Sequence, residues 1–147
     1  MKTLLTTLAA LAALAAGAAP GLAFGAQLIG NGGSCADIQR GDTSDGTPLI
    51  LFHCHGSPNQ NWVLIGGTVA GANGTCLDVM GSAARDGAQI IVVQCNGRAS
   101  QKWQVVNGQL VGLGGKCLDL QGGSSADSTP LILSTCGSAP SQQWSVQ

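Results

Sequence analysis

The chain has 147 residues, 9% of them charged and 3% aromatic, with a formal net charge of −1, 23 Gly and no Tyr. Nothing in it resembles the basic stripe that nucleic-acid binding needs, and it has no basic amphipathic helix for a membrane surface. Six Cys and the many turn formers describe instead a compact, turn-rich chain.

The first element is a leader over residues 1–26. Lys2 is followed by "LLTTLAALAALAAGAAP" and then by the small residues of "GLAFGA", with no further charge before Asp37. One basic residue, an apolar run and small residues predict a secretory signal peptide, cleaved between about Ala23 and Gln27. Residues 4–26 are long enough to span a bilayer, but their Ala-heavy middle with Gly17, Pro20 and Gly21 argues against an uncleaved anchor. The absence of an Arg pair favours the general export route over the twin-Arg one. Losing Lys2 leaves five basic residues against seven Asp, a net charge of −2, with no Glu anywhere.

The segment 27–147 suits one domain with one core. It falls into three units, 27–67, 68–108 and 109–147, that superpose without a gap at a step of 41 residues. Nine columns are identical in all three. In the first unit they are Gly30, Gly33, Cys35, Asp37, Asp45, Ile50, Cys54, Gln60 and Trp62, and the same residues recur 41 and 82 positions on. The second unit shows the strand pattern clearly: "TVAG", "CLDV", "QIIVVQC" and "KWQVV", parted by "ANGT", "GSAARDG" and "NGRAS". Four strands in each unit predict twelve, and no helical periodicity appears after the leader.

Three units related by pseudo-threefold symmetry bury a shared core that no single 41-residue unit could. A propeller usually needs at least four blades, which leaves an all-β trefoil. Export and an even Cys count predict three disulfides. Six Cys allow 15 pairings and spacing alone does not choose among them. In a trefoil, one pair per unit is natural: Cys35 with Cys54, Cys76 with Cys95, Cys117 with Cys136. Each would close a loop of roughly 20 residues, worth about 3 kcal/mol on the chain-entropy account. Trp62, Trp103 and Trp144, each two residues after a Gln, are placed to fill the core between units, with their N–H groups seeking partners. Gln60, Gln101 and Gln142 carry a donor and an acceptor each and can tie down a neighbouring turn. The sharper alternative is that the Trp rings stack on a ligand.

Three Q-x-W motifs, each with a C-x-D upstream and two Cys 19 residues apart, resemble the ricin B-type lectin family over the whole of 27–147. The resemblance implies a β-trefoil domain that binds carbohydrate, often galactose-like, in a shallow pocket on each lobe. It implies roles as well: the Asp of C-x-D accepts from sugar hydroxyls, and an aromatic two residues before the second Cys stacks on the ring. A Gln two residues before that aromatic assists, and an Asn beside the Q-x-W Gln contributes. The chemistry is sound, since a carboxylate accepts charge-assisted hydrogen bonds and an aromatic face suits the C–H side of a pyranose.

Carried onto this chain, the lobes are unequal. The first has Asp37, Phe52 and Asn59 beside Gln60, with His55 near enough to lend a hydrogen bond. The second has Asp78, but Val93 and Ser100 replace the ring and the amide; the third has Asp119, with Ser134 and Ser141 there. The assisting Gln is replaced throughout, by Ile50, Ile91 and Ile132. Alternation along "PLILFHC" puts Ile50 and Phe52 on one face and Leu49 and Leu51 on the other. If the Leu pair faces the core, the Ile column makes an apolar outer patch, fit for a hydrophobic partner or marking degenerate sites.

Other candidates reduce to structure. Each C-x-D Asp could also bind nearby backbone N–H groups. Asp45, Asp86 and Asp127 precede Gly46, Gly87 and Ser128 and read as turn formers. His53 and His55 would share one face of a strand, but two ligands without a third make no metal site. A glycosidase needs two carboxylates about 5–10 Å apart, and the register-matched Asp are spread over three lobes. No G-x-S-x-G elbow is present, and the Gly-rich "GNGG" and "GLGG" start no helix. The sequence therefore predicts a secreted, non-catalytic, carbohydrate-binding trefoil that needs no cofactor or metal and does not insert in a membrane after leader cleavage. Its expected partner is a glycan or polysaccharide, bound through Asp37, Phe52, His55, Asn59 and Gln60, with Asp78 and Asp119 as lesser acceptors. The alternative is a protein-binding or inhibitory trefoil with degenerate sugar sites.

Overall fold

The computed structural model describes residues 25–147, so the leader expected over 1–26 lies outside the described residues except at its last two positions. Twelve strands form among the described residues. The first lobe holds β1 (Leu28–Ile29), β2 (Cys35–Ile38), β3 (Thr47–Phe52) and β4 (Val63–Ile65). The second holds β5 (Thr68–Ala70), β6 (Thr75–Val79), β7 (Ile90–Gln94) and β8 (Gln104–Val106). The third holds β9 (Gln109–Val111), β10 (Cys117–Leu120), β11 (Thr129–Ser134) and β12 (Ser145–Val146). Single 3₁₀ turns lie in most of the connections, two-residue turns join β4 to β5 and β8 to β9, and no α-helix occurs among the described residues.

Each lobe folds its first three strands antiparallel and lends its fourth to the next lobe. Thus β4 pairs with β5, β8 with β9, and β12 with β1, where Leu28 faces Val146 and Ile29 faces Ser145. The last pairing closes the chain on itself and is sealed by reciprocal hydrogen bonds between the backbones of Gln27 and Gln147. At the centre, β3 pairs with both β7 and β11, and a bridge from Gln89 to Ile132 joins the remaining two lobes. This is a β-trefoil, with its threefold relation written into the hydrogen bonds.

The period-2 pattern of the central strands decides what they bury. Leu49 and Leu51 of β3, Ile90 and Val92 of β7, and Leu131 and Leu133 of β11 all point into one core and are fully buried. Trp62, Trp103 and Trp144 close that core between lobes, at 0%, 4% and 6% exposure. Each indole N–H donates to a backbone carbonyl 3.1 Å away, of Ala36, Leu77 and Leu118 respectively. Truncating a buried Trp costs about 3–5 kcal/mol, so the three rings supply much of the cohesion between lobes. The stacking alternative is thereby answered: these rings are covered by protein.

One disulfide pins each lobe, Cys35–Cys54, Cys76–Cys95 and Cys117–Cys136, each across a separation of 19 residues. No cysteine is free among the described residues.

Asp45, Asp86 and Asp127 stand in turns as expected, with a further role that the sequence did not reveal. Each sends its carboxylate to the neighbouring lobe. Asp45 accepts from the backbone N–H of Gln94, Asp86 from that of Thr135, and Asp127 from that of His53, each at 2.8 Å. These residues immediately precede the second Cys of the receiving lobe, so the three Asp form a cyclic set of clamps. Their strict recurrence was the overlooked signal, since the residue after them does change, from Gly46 and Gly87 to Ser128.

Candidate functional site

The first lobe opens a cleft of about 340 Å³ on its outer face. Asp37 and Ile50, opposed across the β2–β3 ladder, form its floor. Phe52, His55 and Asn59 line it, Gln39 and Arg40 stand along one side, and Ser128 reaches in from the third lobe. Four of the expected residues, Asp37, Phe52, His55 and Asn59, are thus brought together.

The floor is held by a network centred on Asp37, which is only 2% exposed. The Asn59 side-chain amide donates to its Oδ1 at 2.8 Å and also to the carbonyl of Ile38 at 3.2 Å. Gln60 Nε2 donates to Oδ2 at 2.8 Å, and His55 Nε2 lies 3.3 Å from the same oxygen. The tautomer of His55 follows from its other side: Nδ1 accepts from the Ser57 backbone N–H at 3.1 Å, so the ring proton is on Nε2 and faces Asp37.

Gln60 is fully buried behind the floor and does not line the cleft. Its amide ties Asp37 to the loop after β3, donating to the carbonyl of His53 at 3.0 Å and accepting from the N–H of His55 at 2.8 Å. Gln101 and Gln142 repeat this connection in their own lobes, from Asp78 and Asp119 to the loops at Gln94–Asn96 and Thr135–Gly137. The geometry of Gln60 is that of a positioning group.

Asp78 and Asp119 lie in the other lobes and their carboxylates are turned differently. Oδ1 of Asp78 accepts from the N–H of Val79, and Oδ1 of Asp119 from that of Leu120, both at 2.7 Å. The difference from Asp37 is the Asn: with Ser100 and Ser141 at the Asn59 position, no side-chain amide stands there to donate to Oδ1. The apolar outer patch expected from the Ile column is also corrected. Ile50 and Ile91 are each 7% exposed, the ladders between lobes setting Pro130 opposite Ile50 and Pro48 opposite Ile91, while Ile132 alone of the three stays half-buried.

Two aromatic neighbours flank the Phe52 ring: His53 at a centroid distance of 4.3 Å, tilted 35°, and His55 at 6.1 Å, edge-on. His53 is itself anchored through Nδ1 to Asp127 Oδ2 at 2.8 Å. That hydrogen bond, with the His53 N–H, holds the Asp127 carboxyl below the usual carboxylate value. Among the described residues no group of three or more His, Cys, Asp or Glu is arranged to hold a metal ion.

The sequence profile described as the ricin-type β-trefoil lectin domain matches residues 25–144. The chain belongs to that family. Among solved structures, this ricin-type domain is similar to ThreeFoil, a designed threefold-symmetric protein, with a TM-score of 0.76 and 28% identity over 82% of this chain and 96% of that one. It is also similar to a non-toxic homologue of type II RIPs from bitter gourd, Momordica charantia, solved with α-methyl-D-galactoside. There the TM-score is 0.74 and the identity 24%, over 82% of this chain and 46% of that one. A third is the ricin B-like lectin of Macrolepiota procera, solved with lactose, at TM-score 0.67 and 20% identity over 83% of this chain and 93% of that one. The last two establish likeness of fold, and the chain spans less than half of the bitter gourd protein. No curated protein sequence matches the chain.

Three lining residues of the ricin-type domain, Gln39, Arg40 and Ser128, were not singled out by sequence reasoning. Ser128 could not have been, because it joins the cleft from another lobe. Arg40 could: the same column holds Gly81 and Gly122 in the other two lobes.

Proposed function

We propose that this chain is a secreted, non-catalytic lectin that binds galactose-like sugars, mainly through its first lobe. The observation that carries the reading is the gathering of Asp37, Phe52, His55 and Asn59 around one cleft, in the one lobe that retains both ring and amide. Two relatives of similar fold were solved with a galactoside and with lactose, which supports the choice of sugar class. The three disulfides support an oxidising compartment, in keeping with an exported chain.

The chemistry available is binding. A carboxylate has about four acceptor sites, and the three N–H donors on Asp37 leave about one for a sugar hydroxyl. Displacing the long His55 contact would free another. The side-chain oxygen of Asn59 adds an acceptor, since its amide protons already serve Asp37 and Ile38. Phe52 offers a ring edge and face to the sugar C–H groups. Asp37 is the one carboxylate among the lining residues, whereas glycoside hydrolysis calls for a pair. A single open site binds weakly, so useful strength comes from several copies presented together.

A protein-binding role is the alternative. It is favoured by the apolar hairpin ends, where Ile65 is 64% and Val105 54% exposed. A glycan array probed with the wild type, Phe52→Ala and Asp37→Asn, each checked for folding by circular dichroism, separates the two. Signal on galactose-terminated glycans that falls in both variants supports the lectin reading. No signal from the wild type overturns it.

A further inference from the structure

We infer that the first-lobe cleft selects acidic sugars, the Arg40 guanidinium receiving the carboxylate of a uronic acid residue. The inference rests on the sugar-binding reading above and narrows its ligand.

Arg40 lines the cleft beside Asp37 and Phe52 and is itself exposed. Its backbone is in the left-handed region, φ 57° and ψ 14°, which L residues other than Gly and Asn adopt at a cost. At this position the other two lobes have the unstrained residue, Gly81 at φ 64° and Gly122 at φ 65°, the second lobe placing its own left-handed side chain one residue on, at Ser82. Space does not explain the difference, since a Cβ at Gly81 or Gly122 would meet no atom within 4 Å. A long cationic side chain is thus held in a disfavoured conformation only in the lobe that also carries Phe52, His55 and Asn59.

The charges around it leave that cation available. Asp37 is buried, and both its oxygens already receive N–H groups. His55 is occupied on both sides, accepting at Nδ1 from the Ser57 N–H and turning Nε2 to Asp37. The close contacts between a basic side chain and a carboxylate among the described residues are His53–Asp127, His55–Asp37 and Lys116–Asp86, none of which involves Arg40. Asp42 is the nearest acid along the chain, and it lies outside the cleft. Its carboxyl is held below the usual value mainly by Ser44, whose N–H donates to Oδ1 at 2.9 Å, and only in the last place by the Arg40 charge. Arg40 is therefore the exposed full charge of the cleft wall. A planar guanidinium matches a planar carboxylate with two parallel hydrogen bonds, and oxidation of a hexose at C6 supplies that group with the ring hydroxyls left for Asp37 and Asn59.

The test is calorimetric titration of the wild type and Arg40→Gly with matched pairs: the methyl glycosides of galactose, glucose and mannose and their C6-oxidised uronides. Glycine suits the backbone at position 40, and an undiminished thermal midpoint verifies that the variant folds. For at least one pair, the wild type is expected to bind the uronide about tenfold more tightly than the neutral sugar, the size of one charge-assisted contact at a half-open site. That ratio is expected to fall near one in Arg40→Gly, and to shrink in the wild type as salt is raised. Equal binding of both members of every pair, or a preference that survives in Arg40→Gly, overturns the acidic-sugar inference and leaves the lectin reading standing. Binding of neither member of any pair by the wild type overturns both.

Discussion

The ring of Trp62 lies so close to Gly71 that a Cβ added there would sit 2.7 Å from it. The contact repeats around the molecule, with Trp103 over Gly112 and Trp144 over Gly30, the last joining the third lobe back to the first. At none of these glycines is φ positive: they lie at −99°, −120° and −123° for Gly30, Gly71 and Gly112. Glycine is required there by the approach of the indole and not by the backbone. It follows that Gly112→Ala, where the Cβ would come to 2.5 Å from the ring, should destabilise the fold by about 1–3 kcal/mol, the usual range for overpacking. Gly137→Ala, with nothing within 4 Å, should change stability little. Urea unfolding followed by Trp fluorescence measures both.

Gln60 joins the buried Asp37 to the backbone of the loop after β3. Gln60→Ala leaves the Asp37 carboxylate short of a donor and the His55 N–H without its acceptor. A loss of about 2–3 kcal/mol is expected from stranding those groups, read as a shift in denaturation midpoint. Sugar binding should fall with it, because Asp37 loses its anchor.

Phe52→Ala removes the cleft's aromatic wall and should weaken sugar binding about tenfold, in line with the worth of one aromatic contact. The same truncation at the matching position of the second lobe, Val93→Ala, should leave affinity almost unaltered. Titration with one galactoside compares them directly.

Acid should loosen the contacts between lobes. Asp86 and Asp127 have folded-state pKa values below the ordinary 3.8, Asp86 chiefly through the Lys116 ammonium and the Thr135 hydroxyl, Asp127 chiefly through His53. A lowered folded value means that the unfolded chain binds protons first. Their contribution is therefore complete above pH 3.8 and disappears as the pH falls through the lowered values. Melting curves between pH 6 and 2 should show this loss, and Asp127→Asn should lessen its steepness.

Removing one disulfide through the paired change Cys76→Ser and Cys95→Ser frees a loop of 19-residue separation and should cost about 2–4 kcal/mol. Because the lobes share a single core, unfolding should remain one cooperative transition at a lower midpoint.

Much of the molecule was legible in the chain alone. A step of 41 residues, repeated without a gap, dictates three like lobes because identical local instructions fold alike. Period-2 alternation separated Leu49 and Leu51 from Ile50 and Phe52, since successive strand residues face opposite ways. The Cys pairing followed once each lobe had to be equivalent. What the chain could not disclose was how the lobes meet. Asp45, Asp86 and Asp127 looked local, yet their acceptors serve N–H groups 49 or 74 residues away. Gln60 was grouped with the ligand residues by its neighbours in sequence, whereas depth in the fold put it behind the cleft. Asp37, Asp78 and Asp119 share one motif but not one orientation, because Asn59 reaches across 22 residues to hold the first. Periodicity reports which way a side chain points from its own strand; which distant groups it then meets depends on closure of the ring, and that is settled only when all three lobes are in place.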